Sequence, residues 1–302
     1  MAAMTTDTLH EDVLAWFEAS ARDLPWRTHP RPWAVMVSEF MLQQTPVARV
    51  LPVFAAWMAR WPTPSALAAD SSGEAVRAWG KLGYPRRALR LHASAVAIVD
   101  NHGGEVPDDL DALRALPGVG DYTAAAIASF AFGQRHVVLD TNVRRVLARV
   151  VDGSEYPNAG GTSRSRGTIS SAERELAAAL LPTHDAHRWA AATMELGALI
   201  CTAKSPRCGA CPVESRCAWN MDGRPAHDGP PRRGQSYAGT DRHVRGRLLD
   251  VLRDSDEPVT RVALDAAWDD PESDPGQRER CLDSLLADGL VETDGSSYSL
   301  PR

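Results

Sequence analysis

Residues 116–120, which read Leu-Pro-Gly-Val-Gly, constrain the fold of this chain more than any other segment. Helical patterns occupy residues 110–116 before them and residues 122–132 after them. Proline cannot continue the first helix and the glycines permit positive φ, so the sequence predicts a tight hairpin between two helices. Such a hairpin leaves backbone N–H groups open to an anion at the start of the second helix. A plain connection between the helices is the alternative interpretation.

Asp140 follows an apolar run at residues 137–139 and precedes a third helical pattern. Apolar residues at i, i+3, i+4 and i+7 give that pattern one apolar face, formed by Val143, Val146, Leu147 and Val150. Asp is a favoured N-cap residue, and capping is the simpler role for this carboxylate. Its position about twenty residues after a candidate phosphate-binding hairpin makes it a candidate catalytic group as well.

Glu39 lies within residues 33–45, a largely apolar segment that predicts a helix ending before Pro46. A carboxyl group held in apolar surroundings resists ionisation. Such a group stays protonated near neutral pH and can serve as a general acid. The alternative is that Glu39 faces solvent or pairs with an arginine.

The composition is that of an ordinary soluble globular chain, with 302 residues, 44% hydrophobic and 24% charged. No apolar run approaches the ~20 residues of a membrane span. The N-terminal residues lack a basic region followed by an apolar core, so no secretory signal is visible. We therefore expect a cytoplasmic protein without membrane contact.

The net charge of −6 is unevenly distributed, because residues 250–302 hold 14 acidic and five basic side chains. The rest of the chain is slightly basic, and its positive charges are clustered. Affinity for phosphate depends on such local patches, with solvated helix faces as the alternative. The clustered side chains are Arg77, Lys81, Arg86, Arg87 and Arg90, followed further along by Arg144, Arg145 and Arg149.

A turn at Gly83 presents Leu82 and Tyr84 beside the first basic cluster. Apolar and aromatic wedges next to basic residues are used by proteins to unstack bases. Burial of both side chains in the core is an equally good interpretation.

Four of the five cysteines lie together, in the pattern C-x6-C-x2-C-x5-C formed by Cys201, Cys208, Cys211 and Cys217. Disulfides are not expected in a chain without an export signal. Four thiolates within 17 residues indicate a metal site, and the spacing leaves zinc and an iron–sulfur cluster both open. The fifth, Cys281, stands in a helical pattern and is most simply a core residue.

The C-terminal part follows a Pro/Gly-rich linker at residues 221–237. Its patterns predict three helices and a hairpin, at residues 242–253, 259–268, 277–288 and 289–300. This is a winged-helix-like α+β module at residues 238–302, although its acidic balance argues against DNA reading. Residues 1–220 form the predicted main domain, with an exposed loop at residues 152–167.

The hairpin, Asp140 and the cysteine loop together resemble the helix-hairpin-helix DNA glycosylase superfamily, over roughly residues 8–220. The chain is most similar to the MutY-type, A/G-specific adenine DNA glycosylases within it. The segments that carry this similarity are residues 38–45, 83–84, 139–146 and 194–201. The resemblance implies an all-α fold with a six-helix barrel subdomain and an iron–sulfur helical subdomain. It also implies a 4Fe–4S cluster rather than zinc on the four cysteines.

The same resemblance assigns the site residues. Glu39 matches the family's catalytic acid and Asp140 its catalytic Asp, while Tyr122 and Asn142 match active-site helpers. Endonuclease-III-like relatives carry a strand-cleaving Lys where this chain has Tyr122, and they lack a Glu at position 39. We therefore expect a monofunctional hydrolase. The DNA contacts implied are Gln43, Gln44, Thr45, Leu82, Tyr84, Gly118, Val119 and Gly120.

The implied reaction is the removal of adenine opposite 8-oxoguanine or guanine in double-stranded DNA, by base flipping and acid catalysis in a monomer. One departure concerns the C-terminal part. Family members typically carry a Nudix-like domain that inspects 8-oxoguanine, and the winged-helix-like module stands in its place here. Selectivity for the opposite base must then rest on the contacts at residues 43–45, 82 and 84.

Two other functions fit parts of the pattern. A thymine or uracil mismatch glycosylase of the same superfamily also has Tyr at position 122, but Glu39 weighs against it. A non-catalytic iron–sulfur DNA-binding regulator is the alternative outside the enzymes.

Overall fold

The structure is a computed structural model that describes residues 6–157, 169–227, 237–268, 274 and 276–302. Most of the predicted loop at residues 152–167 and of the linker at residues 221–237 lies outside these ranges. Within them the chain is helical, apart from one small sheet near the C-terminus. No helix in these ranges has the length and apolar character needed to cross a membrane.

The helices run from the N-terminal region to the C-terminal module. They are α1 (Thr6–Ser20), α2 (Pro25–Thr28), α3 (Pro32–Leu42), α4 (Val47–Arg60), α5 (Pro64–Ala68), α6 (Ser72–Trp79), α7 (Arg86–His102), α8 (Leu110–Ala115), α9 (Asp121–Phe132), α10 (Thr141–Val150), α11 (Ser171–Ala179), α12 (Ala186–Leu199), α13 (Ala218–Met221), α14 (Asp241–Arg253), α15 (Arg261–Asp265) and α16 (Gln277–Ala287). Three short 3-10 helices are Gly80–Leu82, Cys208–Ala210 and Glu214–Arg216. The strands are β1 (Val259–Thr260), β2 (Glu292–Thr293) and β3 (Ser297–Ser299).

Packing divides the chain into two compact units whose boundaries differ from the predicted domains. The first unit comprises Met1–Val35 and Gly120–Pro231, and the second comprises Met36–Val119 and Arg232–Arg302. The predicted main domain therefore contributes to both units. The C-terminal module belongs to the second unit, together with helices α4 to α8.

The core of the first unit forms where helix α10 packs on helix α12. The predicted apolar face of α10 is buried there, and Leu147 lies in one cluster with Trp189 and Leu196. Helix α1 adds Leu9 and Val13 to the same cluster.

The core of the second unit contains three tryptophans that pack edge to face. The ring of Trp57 lies 4.7 Å from that of Trp61 and 5.8 Å from that of Trp79, measured between centroids. All three are fully buried. Aromatic pairs in this geometry stabilise a core beyond the area that they bury.

The predicted hairpin is present between α8 and α9. The side chain of Asp109 caps α8 by accepting the amides of Asp111 and Ala112. Gly118 then adopts φ +81°, and a Cβ atom there would lie 2.7 Å from the Cβ atom of Arg90. Helix α9 begins directly after Gly120. Glycine at position 118 is therefore required both by the backbone angle and by the close approach.

The C-terminal module has the predicted winged-helix-like order of elements. Its three antiparallel strands lie in the order β1-β3-β2. The predicted helix at residues 259–268 is shorter, since the β-branched Val259 and Thr260 form strand β1. Thr260 then caps α15 by accepting the amide of Ala263 at 3.4 Å.

Residues 69–71 separate helix α5 from helix α6. The hydroxyl of Ser71 accepts the amide of Glu74 at 3.3 Å and caps α6, which begins one residue before Gly73. Gly73 has a packing role inside the helix. A Cβ atom at Gly73 would lie 2.1 Å from the carbonyl oxygen of Pro301.

Candidate functional site

Asp140 caps helix α10 with a fully engaged carboxylate in the first unit. Its Oδ1 accepts the amides of Asn142 at 2.8 Å and Val143 at 2.7 Å, and its Oδ2 accepts Asn142 Nδ2 at 2.7 Å. The capping interpretation is confirmed. Three hydrogen bonds fix the orientation of this carboxylate, which a catalytic role also requires.

Burial raises the pKa of Asp140 above its usual value. Hydrogen bonds from Val143 and Asn142 and the charge of Arg145 lower the pKa, but they do not outweigh burial. Ionised Asp140 is thus held in surroundings that favour a nearby positive charge.

Arg145 connects Asp140 to the cysteine loop. Its guanidinium donates to Asn142 Oδ1 at 2.9 Å, to the Gly197 carbonyl at 2.6 Å and to the Cys201 carbonyl at 2.7 Å. Asn142 in turn donates to Asp140. A continuous hydrogen-bonded path therefore runs from the first cysteine to the candidate catalytic carboxylate.

The two predicted helper residues lie in different surroundings in the first unit. A Cβ atom at Gly197 would lie 2.7 Å from the Cβ atom of Asn142, so helix α12 approaches α10 at this point. Tyr122 is half-buried on the first turn of α9, where it packs beside Val138 and Ala190.

All four cysteines of the loop line one cavity, together with Arg149 and Trp219. Burial raises the pKa of Cys211 to about 11 and raises that of Cys217 as well. Thiols with raised pKa values are protonated at neutral pH in the absence of a metal, and metal binding releases those protons. In the described part of the chain, no group of three or more His, Cys, Asp or Glu side chains is arranged to hold one metal ion. The four sulfurs nevertheless share one cavity, as both interpretations of the cysteine pattern require.

The arginines of α10 are neither a phosphate-binding patch nor a solvated face, in contrast to both sequence interpretations. Arg144 pairs with Glu173 at 2.6 Å, and both Arg145 and Arg149 bind backbone carbonyls of the cysteine loop. All three side chains are at least nine-tenths buried. Arg149 also donates to Cys201 Sγ at 3.5 Å and lies 4.5 Å from the Trp219 ring centroid.

Glu39 lies on helix α3 and is 6% exposed, which rules out the interpretation that it faces solvent. The helix ends at Leu42, three residues before the predicted end, so Gln43, Gln44 and Thr45 form a turn. Glu39 is thus one helical turn before the segment that contains three of the predicted DNA contacts.

Arg87 joins the turn at residues 43–45 to the turn at residues 80–85 within the second unit. Its guanidinium donates to the Gln43 carbonyl at 2.5 Å, to the Gly83 carbonyl at 3.1 Å and to Thr45 Oγ1 at 3.4 Å. Burial lowers the pKa of Arg87 to about 10, so the side chain stays charged at neutral pH. The structure therefore brings the predicted contacts of these two turns together around one arginine.

Gln44 and Tyr84 both have left-handed backbones, with φ values of +55° and +50°. This conformation is uncommon outside glycine and clusters at functional sites. Tyr84 is 44% exposed, whereas Leu82 and Thr45 are buried. The wedge interpretation thus fits Tyr84, and the core interpretation fits Leu82.

The turn at residues 116–120 closes when the Val119 amide donates to the Leu116 carbonyl at 3.1 Å. The Val119 amide is therefore engaged within the turn itself. The amides of Gly118 and Gly120 have no acceptor among the described residues. These two amides are the ones that a phosphate could reach.

Sequence reasoning missed two structural roles near the site. Glu195 is buried and pairs with Arg22 at 2.7 Å and Arg27 at 2.9 Å. Arg87 was counted only as part of a basic cluster. In both cases most partners lie tens of residues away, and the absence of an acidic neighbour around Arg87 was the one sequence signal that indicated backbone acceptors.

Comparison with known proteins defines the class. Residues 37–165 match the model of the HhH-GPD superfamily of base excision DNA repair proteins, and residues 201–217 match the iron–sulfur binding domain of endonuclease III. A thermostable thymine-DNA glycosylase is similar in structure with a TM-score of 0.62 and 25% identity, over 72% of this chain and 97% of that one. A non-covalent endonuclease III–DNA complex matches with a TM-score of 0.59 and 23% identity, over 73% of this chain and 98% of that one.

Sequence relatives narrow the class to one family. An adenine DNA glycosylase of Mycobacterium tuberculosis is 54% identical over 96% of this chain and 92% of its own length. The human adenine DNA glycosylase is 43% identical over 68% of this chain and 38% of its own length. The chain belongs to the adenine DNA glycosylase family of the HhH-GPD superfamily, and it takes a 4Fe–4S cluster as cofactor.

Proposed function

We propose that this chain removes adenine mispaired with 8-oxoguanine or guanine from double-stranded DNA, as a monofunctional glycosylase that acts as a monomer. The observation that carries this proposal is the 54% identity to an adenine DNA glycosylase over 96% of the chain. The buried Glu39 and the oriented carboxylate of Asp140 supply the acid and the electrostatic group that this reaction needs.

Glu39 supplies the proton in this mechanism. The adenine is flipped out of the stack, and the buried carboxyl group of Glu39 protonates a ring nitrogen of the base. The glycosidic C–N bond then breaks, and both of its electrons leave with the adenine. The resulting carboxylate takes a proton from the water that attacks the sugar.

Asp140 stabilises the positive charge that develops on the sugar. Its carboxylate is fixed by the two backbone amides and by Asn142, so no reorganisation is needed when that charge appears. Its raised pKa indicates an ionised form that gains from a nearby cation. Two carboxylates in different surroundings thus divide the acid and electrostatic roles.

Tyr122 offers no amine that could form a Schiff base with the abasic sugar. The DNA strand therefore stays intact after base release, which makes the reaction monofunctional. In this proposal the half-buried phenol, on the first turn of α9, shapes the base pocket instead.

DNA is held by two separate features in this proposal. The amides of Gly118 and Gly120 bind a phosphate at the start of α9. Gln43, Gln44 and Tyr84 fill the space opened in the duplex and contact the opposite base, from the turns joined by Arg87.

The four cysteines hold the cluster in this proposal, and Arg149 hydrogen-bonds the Cys201 sulfur. When bound, the cluster cross-links residues 201–217 and so fixes the loop. Arg145 then positions Asn142 from the backbone of that loop.

The test is a single-turnover assay with duplexes containing A:8-oxoguanine, A:G and T:G. Wild type should release free adenine and leave an intact strand that breaks only after heating with base. Glu39→Gln and Asp140→Asn should retain DNA binding and lose roughly 100- to 10,000-fold in rate. Glu105→Gln, a matched change at an exposed carboxylate, should have the wild-type rate.

Three results would contradict the proposal. Release of thymine from T:G but no adenine would indicate a mismatch glycosylase of the thymine type. Strand breakage without heat or base would contradict the role given to Tyr122. Full biological activity of both carboxylate variants would indicate a non-catalytic regulator.

A further inference from the structure

The C-terminal module packs against helix α6, the turn at residues 80–85 and helix α7 in the second unit. We propose that this module braces Tyr84 through Arg242, and that Arg242 is a positioning residue for recognition of the base opposite the adenine. The inference rests on the proposed function, since it concerns selectivity in that reaction.

Reciprocal hydrogen bonds join the module to helix α6. Arg77 donates to the carbonyls of Leu252 and Arg253, and Arg253 donates to the Val76 carbonyl at 3.1 Å. The side chain of Arg253 is only 9% exposed. These bonds join the end of α14 to α6 through backbone acceptors, so the contact does not depend on exposed charge.

The chain end approaches the same helix closely. Leu300 and Pro301 are buried, and the Pro301 carbonyl lies where a Cβ atom at Gly73 would be. Backbone contact of this kind fixes the position of the module more tightly than flexible side chains can.

Charged side chains extend the contact toward the turn. Asp288 pairs with Arg86 at 3.2 Å and with Arg245 at 2.6 Å, and Asp250 lies 3.8 Å from Lys81. The acidic module is thus charge-complementary to part of the basic cluster at residues 75–99. This explains its acidic balance without assigning it to DNA.

Winged-helix proteins bind DNA with the helix that corresponds to α16 and with the turn between the last two strands. In this module both surfaces are unsuited to binding DNA. Helix α16 presents Glu279 and Asp283, and its Arg280 is paired with Asp274 at 2.6 Å. The turn between β2 and β3 carries Asp294. Glu279 is itself paired with Arg261, so these surfaces offer charges that are negative or already paired rather than free cations for phosphate. Bracing of the neighbouring turn is the role that the observations favour.

Arg242 is the point at which the module reaches Tyr84. It is exposed on the first turn of α14, and its guanidinium carbon lies 5.1 Å from the Tyr84 ring centroid. The guanidinium carbon of Arg87 lies 5.2 Å from the same centroid. Two cations thus hold the ring of a residue whose backbone is left-handed.

Loss of one cation should let Tyr84 leave the conformation required for insertion into the duplex. Arg242→Ala should therefore lower the preference for A:8-oxoguanine over A:G by roughly two- to fivefold, the factor expected for one exposed cation–π pair. Arg242→Lys keeps a cation and should recover part of the preference.

The experiment is a double-mutant cycle in the full-length protein containing its cluster. Wild type, Arg242→Ala, Tyr84→Ala and the double variant are compared in single-turnover rates on A:8-oxoguanine and A:G duplexes. Arg247→Ala is the control, because Arg247 is exposed on the same helix and bonds only weakly to the Ala267 carbonyl at 3.4 Å. Salt dependence of binding to a duplex with an uncleavable adenine analogue is measured in parallel.

If Arg242 acts through Tyr84, the Arg242→Ala change should have no further effect in the Tyr84→Ala background, and the salt slope should not change. Additive effects with a salt slope reduced by about one would indicate a direct phosphate contact and overturn the inference. An unchanged preference in Arg242→Ala would also overturn it. Circular dichroism and the Arg242→Lys variant separate these results from misfolding. Absence of adenine release by wild type would refute the proposed function instead.

Discussion

Helix α10 and the segment from α6 to α7 are both rich in arginine, yet their basic side chains bind different kinds of partner. On α10 the guanidinium groups are buried and bind backbone carbonyls and one carboxylate, so they fix the cysteine loop and the candidate catalytic carboxylate. Between α6 and α7, Lys81 and Arg86 are exposed and pair with acidic side chains of the C-terminal module. The two regions show that a run of positive charge identifies a contact but not its partner.

The two regions should also differ in how much their ion pairs contribute to stability. A buried ion pair that loses one partner leaves an unpaired charge, while an exposed pair is screened by water. Substitutions in the first unit should therefore affect stability far more than substitutions of exposed charges in the second.

The largest effect is expected for Glu195→Gln in the first unit. Burial raises the pKa of Glu195, but hydrogen bonds and charges from Arg22 and Arg27 outweigh burial and lower it to about 2. The substitution should cost about 3 kcal/mol in the free energy of unfolding, measured by urea denaturation at pH 7. This value is the lower end of the roughly 3–5 kcal/mol expected when a buried ion pair loses one partner. The lower end applies because the side chains of both arginines are partly exposed.

The pH dependence has a definite sign. A carboxylate with a lowered pKa stabilises the fold above its ordinary value of 4.5 and loses that contribution as pH falls toward 2. The difference between wild type and Glu195→Gln should therefore be complete at pH 7 and shrink below about pH 4.5. Glu18→Gln, at an exposed pair with Arg188, is the control and should cost less than about 1 kcal/mol. Equal costs for the two variants would contradict the comparison.

An intermediate effect is expected for Gly73→Ala in the second unit. The new Cβ atom would lie 2.1 Å from a backbone oxygen that cannot rotate away, so the chain end must move. We expect a loss of about 1–3 kcal/mol and faster hydrogen exchange in the C-terminal module. Gly246→Ala should be tolerated, since the nearest atom there is the Tyr237 hydroxyl at 3.3 Å. Unchanged exchange in Gly73→Ala would show that the backbone contact does not hold the module.

Local sequence signals predicted the parts of the molecule that depend on neighbours in the chain. The hairpin at residues 116–120, the helix that starts after Asp140 and the cysteine loop all follow from residue types a few positions apart. The resemblance predicted the enzyme class, the cofactor and the fold. The comparisons with known proteins confirm all three.

Long-range contacts were the part that the sequence could not provide. Arg149 binds the Thr202 carbonyl, and Arg77 binds the end of α14. These partners are far apart in the sequence, and hydrophobic periodicity predicts only contacts between near neighbours. Leu82 and Tyr84 are two residues apart and equally apolar in pattern, yet one is buried and the other exposed. The positive φ of Tyr84 separates them, and that angle is set by tertiary contacts rather than by the residue.

The smallest effect is expected for Lys81→Ala, at the edge of the same contact. Lys81 is 83% exposed and lies 3.8 Å from Asp250, so solvent and salt screen the pair. The free energy of unfolding should fall by less than about 0.5 kcal/mol, and the difference should vanish in high salt. A loss comparable to that of Gly73→Ala would mean that exposed charge, rather than backbone contact, holds the module. In that case the contrast between buried and exposed arginines would not account for the stability of the two units.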